Sequence, residues 1–277
     1  MSARMSQACA MVLLLAMAFA LAVGFLAWGP IAITAADHRF ADERAGFGVP
    51  QVVNTLAGIP LLVAGVLGLR AAKRGHWPTA LRTPWSVFFV MCTALSAMGI
   101  AYHVAPNDVG LALNHLFAAA ALASLTMGFL AERVDARLGS RRVLAVAMGA
   151  VAAGGLWWWI GQGANGSGDL RPLLFLETLP VLLIPAGALS LAGHHTGAGD
   201  WLGMLGLYGL CRMAGIADST IYALTGAISG HTVMHLSWAA VAAWLAYRAA
   251  VAPGSARVTA PALSDPIQRS TSLNTSS

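Results

Sequence analysis

The chain has 277 residues, 58% hydrophobic and only 10% charged, with a formal net charge of +5 and a mean hydropathy of +0.70. Soluble domains are about one quarter charged, so this balance excludes a water-covered globule. The basic residues are scattered through loops, which argues against a nucleic-acid face, and Cys9, Cys92 and Cys211 lie in or beside apolar segments without ligand-like spacing, which excludes a disulfide framework.

Apolar runs of about 20 residues, long enough to cross ~30 Å of hydrocarbon as helix, recur along the chain, and no alternating strand pattern competes with them. In order, the predicted spans are Ala10–Ala35, Pro50–Ala71, Pro84–Val104, Val109–Glu132, Val143–Trp159, Leu170–Ala192, Trp201–Ala217 and Ala227–Ala250. The first follows a short segment with Arg4, and its apolar core is longer than that of a signal peptide, which favours an uncleaved anchor over residues 1–36. The seventh is short, glycine-rich and carries Arg212. After Pro253 the composition turns to Ser, Thr and Pro, so residues 251–277 read as a disordered tail.

Placing Arg4 in the cytoplasm puts Arg70, Lys73, Arg74, Arg82, Arg133, Arg137, Arg141, Arg142, Arg248, Arg257 and Arg269 on the same side. Only Arg39, Arg44 and Arg171 fall outside. This bias predicts both termini inside. It also sets the depth of the intramembrane polar residues, which are costly in lipid and therefore candidates for function.

His103 falls near the outer end of its span, and His231 and His235 lie one to two turns below the outer surface in the last. The pair in HTVMH shares one helix face, the spacing by which one helix gives two imidazoles to one metal. A third imidazole from a neighbouring helix completes a three-histidine zinc site with an open position. The alternative is an interfacial pair bonding headgroups or carbonyls. His38, His76, His194 and His195 fall in predicted loops or turns and read as solvated, as does the acidic loop Asp37–Glu43. Asn54 reads as a polar tie between helices.

Four stretches resemble the alkaline ceramidases, within a wider superfamily of seven-helix membrane hydrolases that includes the progestin/adiponectin-type receptors. They are FADERAGFGVPQVVNTLAGIPLLVAG (40–65), AYHVAPNDVGLALNHL (101–116), GDLRPLLFLETLPVLLIP (168–185) and IYALTGAISGHTVMH (221–235). The resemblance implies an all-α polytopic membrane protein: a seven-helix ceramidase-like bundle over residues 37–250, with the first helix as an addition. It implies that His103, His231 and His235 bind zinc. It implies an amide hydrolase that splits ceramide-like lipids into a fatty acid and a sphingoid base, and a bacterial inner-membrane location.

This chain departs from the family at two places. Asn114 stands where the family has an aspartate 11 residues after its first histidine, and Gly99 where it has a serine. An asparagine holds a water but cannot take its proton, and loss of a general base typically costs ~10²–10⁴ in rate. Glu177 is the expected substitute acid, approaching the histidines, with a structural bond to Arg212 as the alternative; Asp108 and His115 are weaker substitutes. Gln51 stands where animal members carry a calcium-binding glutamate, so calcium is not carried over. The leading expectation is a zinc-dependent lipid amidase with reduced or altered activity. The others are a receptor-like pseudoenzyme that holds zinc and a lipid without turnover, and a b-type haem protein.

Overall fold

The computed structural model describes residues 7–75 and 77–251, and over these it is all-helical. The helices are α1 (Gln7–Trp28), α2 (Val52–Ala57), α3 (Ile59–Arg74), α4 (Thr79–Val104), α5 (Asp108–Arg133), α6 (Arg141–Asn165), α7 (Arg171–Ser190), α8 (Ala198–Ile216), α9 (Asp218–Thr225) and α10 (Gly230–Val251). Six segments are long and apolar enough to cross a membrane: α1, α2 with α3, α4, α5, α6 and α7. These mark an integral membrane protein. Arg4, His76 and the tail from residue 252 lie outside the described residues.

All eight predicted segments are helical, with shifted ends, but the seventh and eighth, α8 and α10, are not among the six long and apolar enough to cross a membrane. The first stops at Trp28 rather than Ala35 because Gly29 takes a left-handed backbone (φ 88°) and Pro30 follows. The second is broken at Gly58, whose carbonyl accepts the Ser96 hydroxyl at 2.7 Å. α5 begins on an N-cap: the Asn107 side chain accepts from the Gly110 amide at 2.8 Å.

Six helices form a closed ring in the order α3, α4, α5, α7, α8, α10, with α10 returning to α3. α6 packs outside on α5 and α7, and α1 outside on α7, where Ala10 and Leu14 meet Leu183 and Leu191. The largest core, with Trp85, Phe88, Phe89, Phe129 and Leu245, fills the ring. The outer face carries Phe19, Leu26, Leu156, Met213 and Ile216, each more than half exposed. In water that would be an aggregating surface; against hydrocarbon it is the expected one.

At one end of the ring the α7–α8 turn is fixed from α5. Glu132 accepts the His195 and Thr196 amides at 2.8 and 2.7 Å, and Arg133 donates to the Leu191 and Thr196 carbonyls. His195 is thus half-buried against Trp77 rather than solvated, whereas His194 is exposed. The opposite end of the ring holds the polar residues of interest.

Candidate metal centre

Three histidines from two helices meet in this end of the ring. His103 is in the last turn of α4, and His231 and His235 are in the first two turns of α10. Their Nε2 atoms form a near-equilateral triangle with edges of 3.0, 3.0 and 3.2 Å, and the group is able to hold a metal ion. A tetrahedral ion ~2.0–2.1 Å from each nitrogen separates them by roughly 3.3 Å, so the triangle is of the right size. A haem would need its two axial imidazoles on opposite faces of a macrocycle; all three rings here converge on one point.

The tautomer of His103 bears on the fit. Its Nδ1 lies 2.9 Å from Gln51 Oε1. An amide oxygen only accepts, so Nδ1 carries the proton and Nε2 presents a bare lone pair to the triangle. His103 is 1% exposed. A lone pair buried among other ring nitrogens is stabilised by a cation, and orientation of a ligand through its second nitrogen is a recurrent feature of metal sites. The donor set therefore fits a borderline metal such as zinc. Gln51 does this from a left-handed backbone (φ 46°, ψ 45°), a conformation that costs a non-glycine residue about 1–2 kcal/mol.

The first turn of α10 is fixed by neighbours. The Asp218 carboxylate accepts the His231 amide at 2.7 Å and the Ala41 amide at 2.8 Å. At Gly230 any Cβ would meet the Ala214 carbonyl oxygen at 2.0 Å, so only glycine lets α10 start this close to α8. Asn54 is fully buried and ties three segments: its Nδ2 donates to the Asp42 carbonyl at 3.1 Å, and its Oδ1 accepts from Thr232 Oγ1 at 2.8 Å and Ser229 Oγ at 3.4 Å.

The loop of residues 37–43 is solvated only in part: Asp37, Arg39 and Glu43 are exposed as expected, whereas Phe40 and Asp42 are buried. Phe40 is 8% exposed and packs edge-on against His103 and His231, with centroids 4.9 and 4.6 Å apart. Asp42 is 1% exposed and bonds Arg44, Nη2 to Oδ2 at 2.7 Å. The Arg44 guanidinium holds the Asp42 carboxyl below the usual carboxylate range. His38 also departs from the solvated reading, with Nε2 2.8 Å from Asp108 Oδ1 and Nδ1 2.8 Å from the Tyr102 hydroxyl. The loop therefore covers the histidines. The pull comes from burying Phe40 and pairing Asp42, neither of which shows in a local charge count.

Below the triangle lies a cavity of about 160 Å³, bordered by all six ring helices. Gly99, Asn114, His115, Glu177 and Arg212 line it together with the three histidines. Asn114 Nδ2 donates to the Gly110 carbonyl at 3.0 Å, leaving Oδ1 as an acceptor. A Cβ on Gly99 would lie 3.4 Å from that oxygen and 3.9 Å from His235 Cε1, so the missing side chain leaves space at the centre of the site. Glu177 bonds neither the triangle nor Arg212; its Oε1 is 2.9 Å from His115 Nδ1. Asp108 is held outside the cavity by His38. Asn114 and His115, adjacent on one helix, both border the cavity despite pointing ~100° apart.

A second, smaller cavity adjoins the first, sharing Tyr208 and Trp238 with it. Phe88, Leu122, Ile184 and Met204 are among its lining residues, and its walls are almost wholly apolar. No family model matches the chain, and neither a curated protein nor a solved structure matches it.

Proposed function

We propose that this protein is a membrane-embedded, zinc-dependent amide hydrolase of ceramide-like lipids, of the alkaline ceramidase type, releasing a fatty acid and a sphingoid base. The observation that carries the proposal is the Nε2 triangle of His103, His231 and His235 at the head of a cavity continued by an apolar one. Zinc held by these residues would lower the pKa of a water to about 7 and polarise an amide carbonyl. Gln51 keeps His103 in the ligating tautomer, Phe40 excludes bulk water from the cluster, and the cavity beyond Tyr208 and Trp238 takes the acyl chain. In the proposed topology the seven helices from α3 to α10 (α2 joined to α3, α9 counted as part of the loop) make the catalytic bundle, and α1 is an added span. Both termini are cytoplasmic and the histidines lie beneath the extracytoplasmic face of a bacterial inner membrane.

Asn114 supports a second reading. With an amide where the family has a carboxylate, the same cage and cavity suit a receptor-like protein that holds zinc and a lipid without turnover. Detergent-purified protein separates the two. Metal content by mass spectrometry together with fatty-acid release from ceramides of several chain lengths supports the hydrolase. Stoichiometric zinc with no amide turned over, by the parent or by Asn114→Asp, supports the receptor-like protein, and protein free of transition metal refutes both.

A further inference from the structure

Two polar side chains in the metal cavity have no part in holding the ion. His115 on α5 and Glu177 on α7 come from different helices, are 25% and 17% exposed, and pair through Nδ1 and Oε1 at 2.9 Å. A carboxylate accepts only, so Nδ1–H donates to Glu177 and the lone pair of His115 sits on Nε2. That nitrogen has no hydrogen-bond partner among the described residues, and His115 lines the cavity that holds the triangle. An oriented imidazole with a carboxylate behind it is the arrangement by which a histidine serves as a proton acceptor. Asn114, its neighbour in sequence, cannot accept a proton. Burying both groups in an apolar bundle is costly unless they pair.

We infer that the His115–Glu177 dyad is the proton carrier of this site, with His115 Nε2 as general base and Glu177 as the residue that positions it. The inference rests on the amidase reading. As the attacking water forms its O–C bond to the amide carbonyl, its proton passes to His115 Nε2 and the carbonyl π pair moves onto oxygen. When the C–N bond breaks, His115 returns that proton to the departing nitrogen. The products are a carboxylic acid and a free amine, with one water consumed. Asn114 Oδ1 orients the water by accepting its other hydrogen.

The test uses the full chain in detergent, loaded with zinc, with three measurements: metal content, turnover of a fluorogenic ceramide, and the ¹⁵N spectrum of the histidine side chains. His115→Gln is expected to keep its metal and to lose ~10²–10⁴-fold in kcat. Glu177→Gln, an isosteric change that spares the fold, is expected to lose about 10-fold or more in kcat with KM unchanged. In the spectrum, the parent shows His115 as the Nδ1–H tautomer, and Glu177→Gln shifts it toward a mixture of tautomers. His115→Gln with normal metal and turnover within twofold of the parent would overturn the dyad while leaving the amidase reading intact. A His115 signal in the Nε2–H form in the parent would overturn it independently of activity. Metal-loaded parent that hydrolyses no amide would overturn the amidase reading and the dyad with it.

Discussion

Gln51→Leu tests the metal centre without touching a ligand. The substitution removes the acceptor 2.9 Å from His103 Nδ1. It keeps a side chain of similar length at the same left-handed backbone position, so backbone strain is nearly unchanged. Two costs follow. The buried Nδ1–H loses its partner, about 1–3 kcal/mol, and His103 is free to move its proton to Nε2, which blocks ligation. Loss of such an outer partner typically lowers metal affinity ~10–100-fold, or roughly 1.4–2.7 kcal/mol. Gln51→Glu keeps an acceptor and is expected to bind at least as tightly as the parent. The assay is competition for zinc against a chromogenic chelator, read alongside the melting temperature of metal-free protein. If the Leu variant binds zinc within twofold of the parent while its metal-free Tm is unchanged, the assignment of Gln51 as the residue orienting His103 is wrong.

The loop over the cluster makes a separate set of predictions. Phe40→Ala removes both ring contacts to the histidines and is expected to speed zinc extraction by chelator at least severalfold, as measured by stopped flow. Asp42 has a lowered carboxyl pKa because Arg44 donates to it. Its contribution to stability is therefore complete above the unfolded value of about 3.9 and lost as pH falls through the lower folded value. Hydrogen exchange at residues 37–49 should rise over that acid window in the parent and show no such step in Asp42→Asn. Asn54→Ala leaves the Asp42 carbonyl without its amide donor and the Thr232 hydroxyl with Ser229 alone and is expected to destabilise by about 1–3 kcal/mol in thermal unfolding. Gly99→Ser places its Cβ in ordinary contact with Asn114 and His235; it should cost under ~1 kcal/mol and leave metal content unchanged, measured by Tm and mass spectrometry.

What the sequence made legible follows from local periodicity. Runs of apolar residues locate the helices because each must satisfy its own backbone in lipid. The four-residue step from His231 to His235 places both on one face because 3.6 residues make a turn. His103 joined them by a depth argument, since spans of alternating direction bring the end of α4 and the start of α10 to one side. The structure has those ends together, which requires α8 to return the chain despite its glycines and Arg212. Gln51, Phe40, Asp218 and the pairing of His115 with Glu177 were not readable. Each depends on a contact between residues 50 or more apart in sequence, and none carries a signal of its own: a glutamine before a span or a phenylalanine in a charged loop is ordinary until its partner is known.

The same distinction explains why the solvated reading fails at His38 and Asp42 while it holds at Asp37 and Glu43. That reading rested on charge density, and charge density predicts exposure only where charges lack fixed partners. Here Asp42 is matched by Arg44, Asp218 by the Ala41 and His231 amides, and His38 by Asp108 and Tyr102. With its polar groups so satisfied, the segment is able to bury Phe40 over the imidazoles, and a dry cover strengthens every electrostatic interaction beneath it. A site built this way gains most from a cation, because three convergent nitrogens screened from water have little else to neutralise their lone pairs. Metal-free protein should accordingly show the cluster as its least settled region, with the ¹⁵N signals of His231 and His235 broadened and sharpening on titration with zinc. Signals already sharp without metal and unmoved by it would mean that the imidazoles are held by hydrogen bonds among themselves and that the triangle is structural.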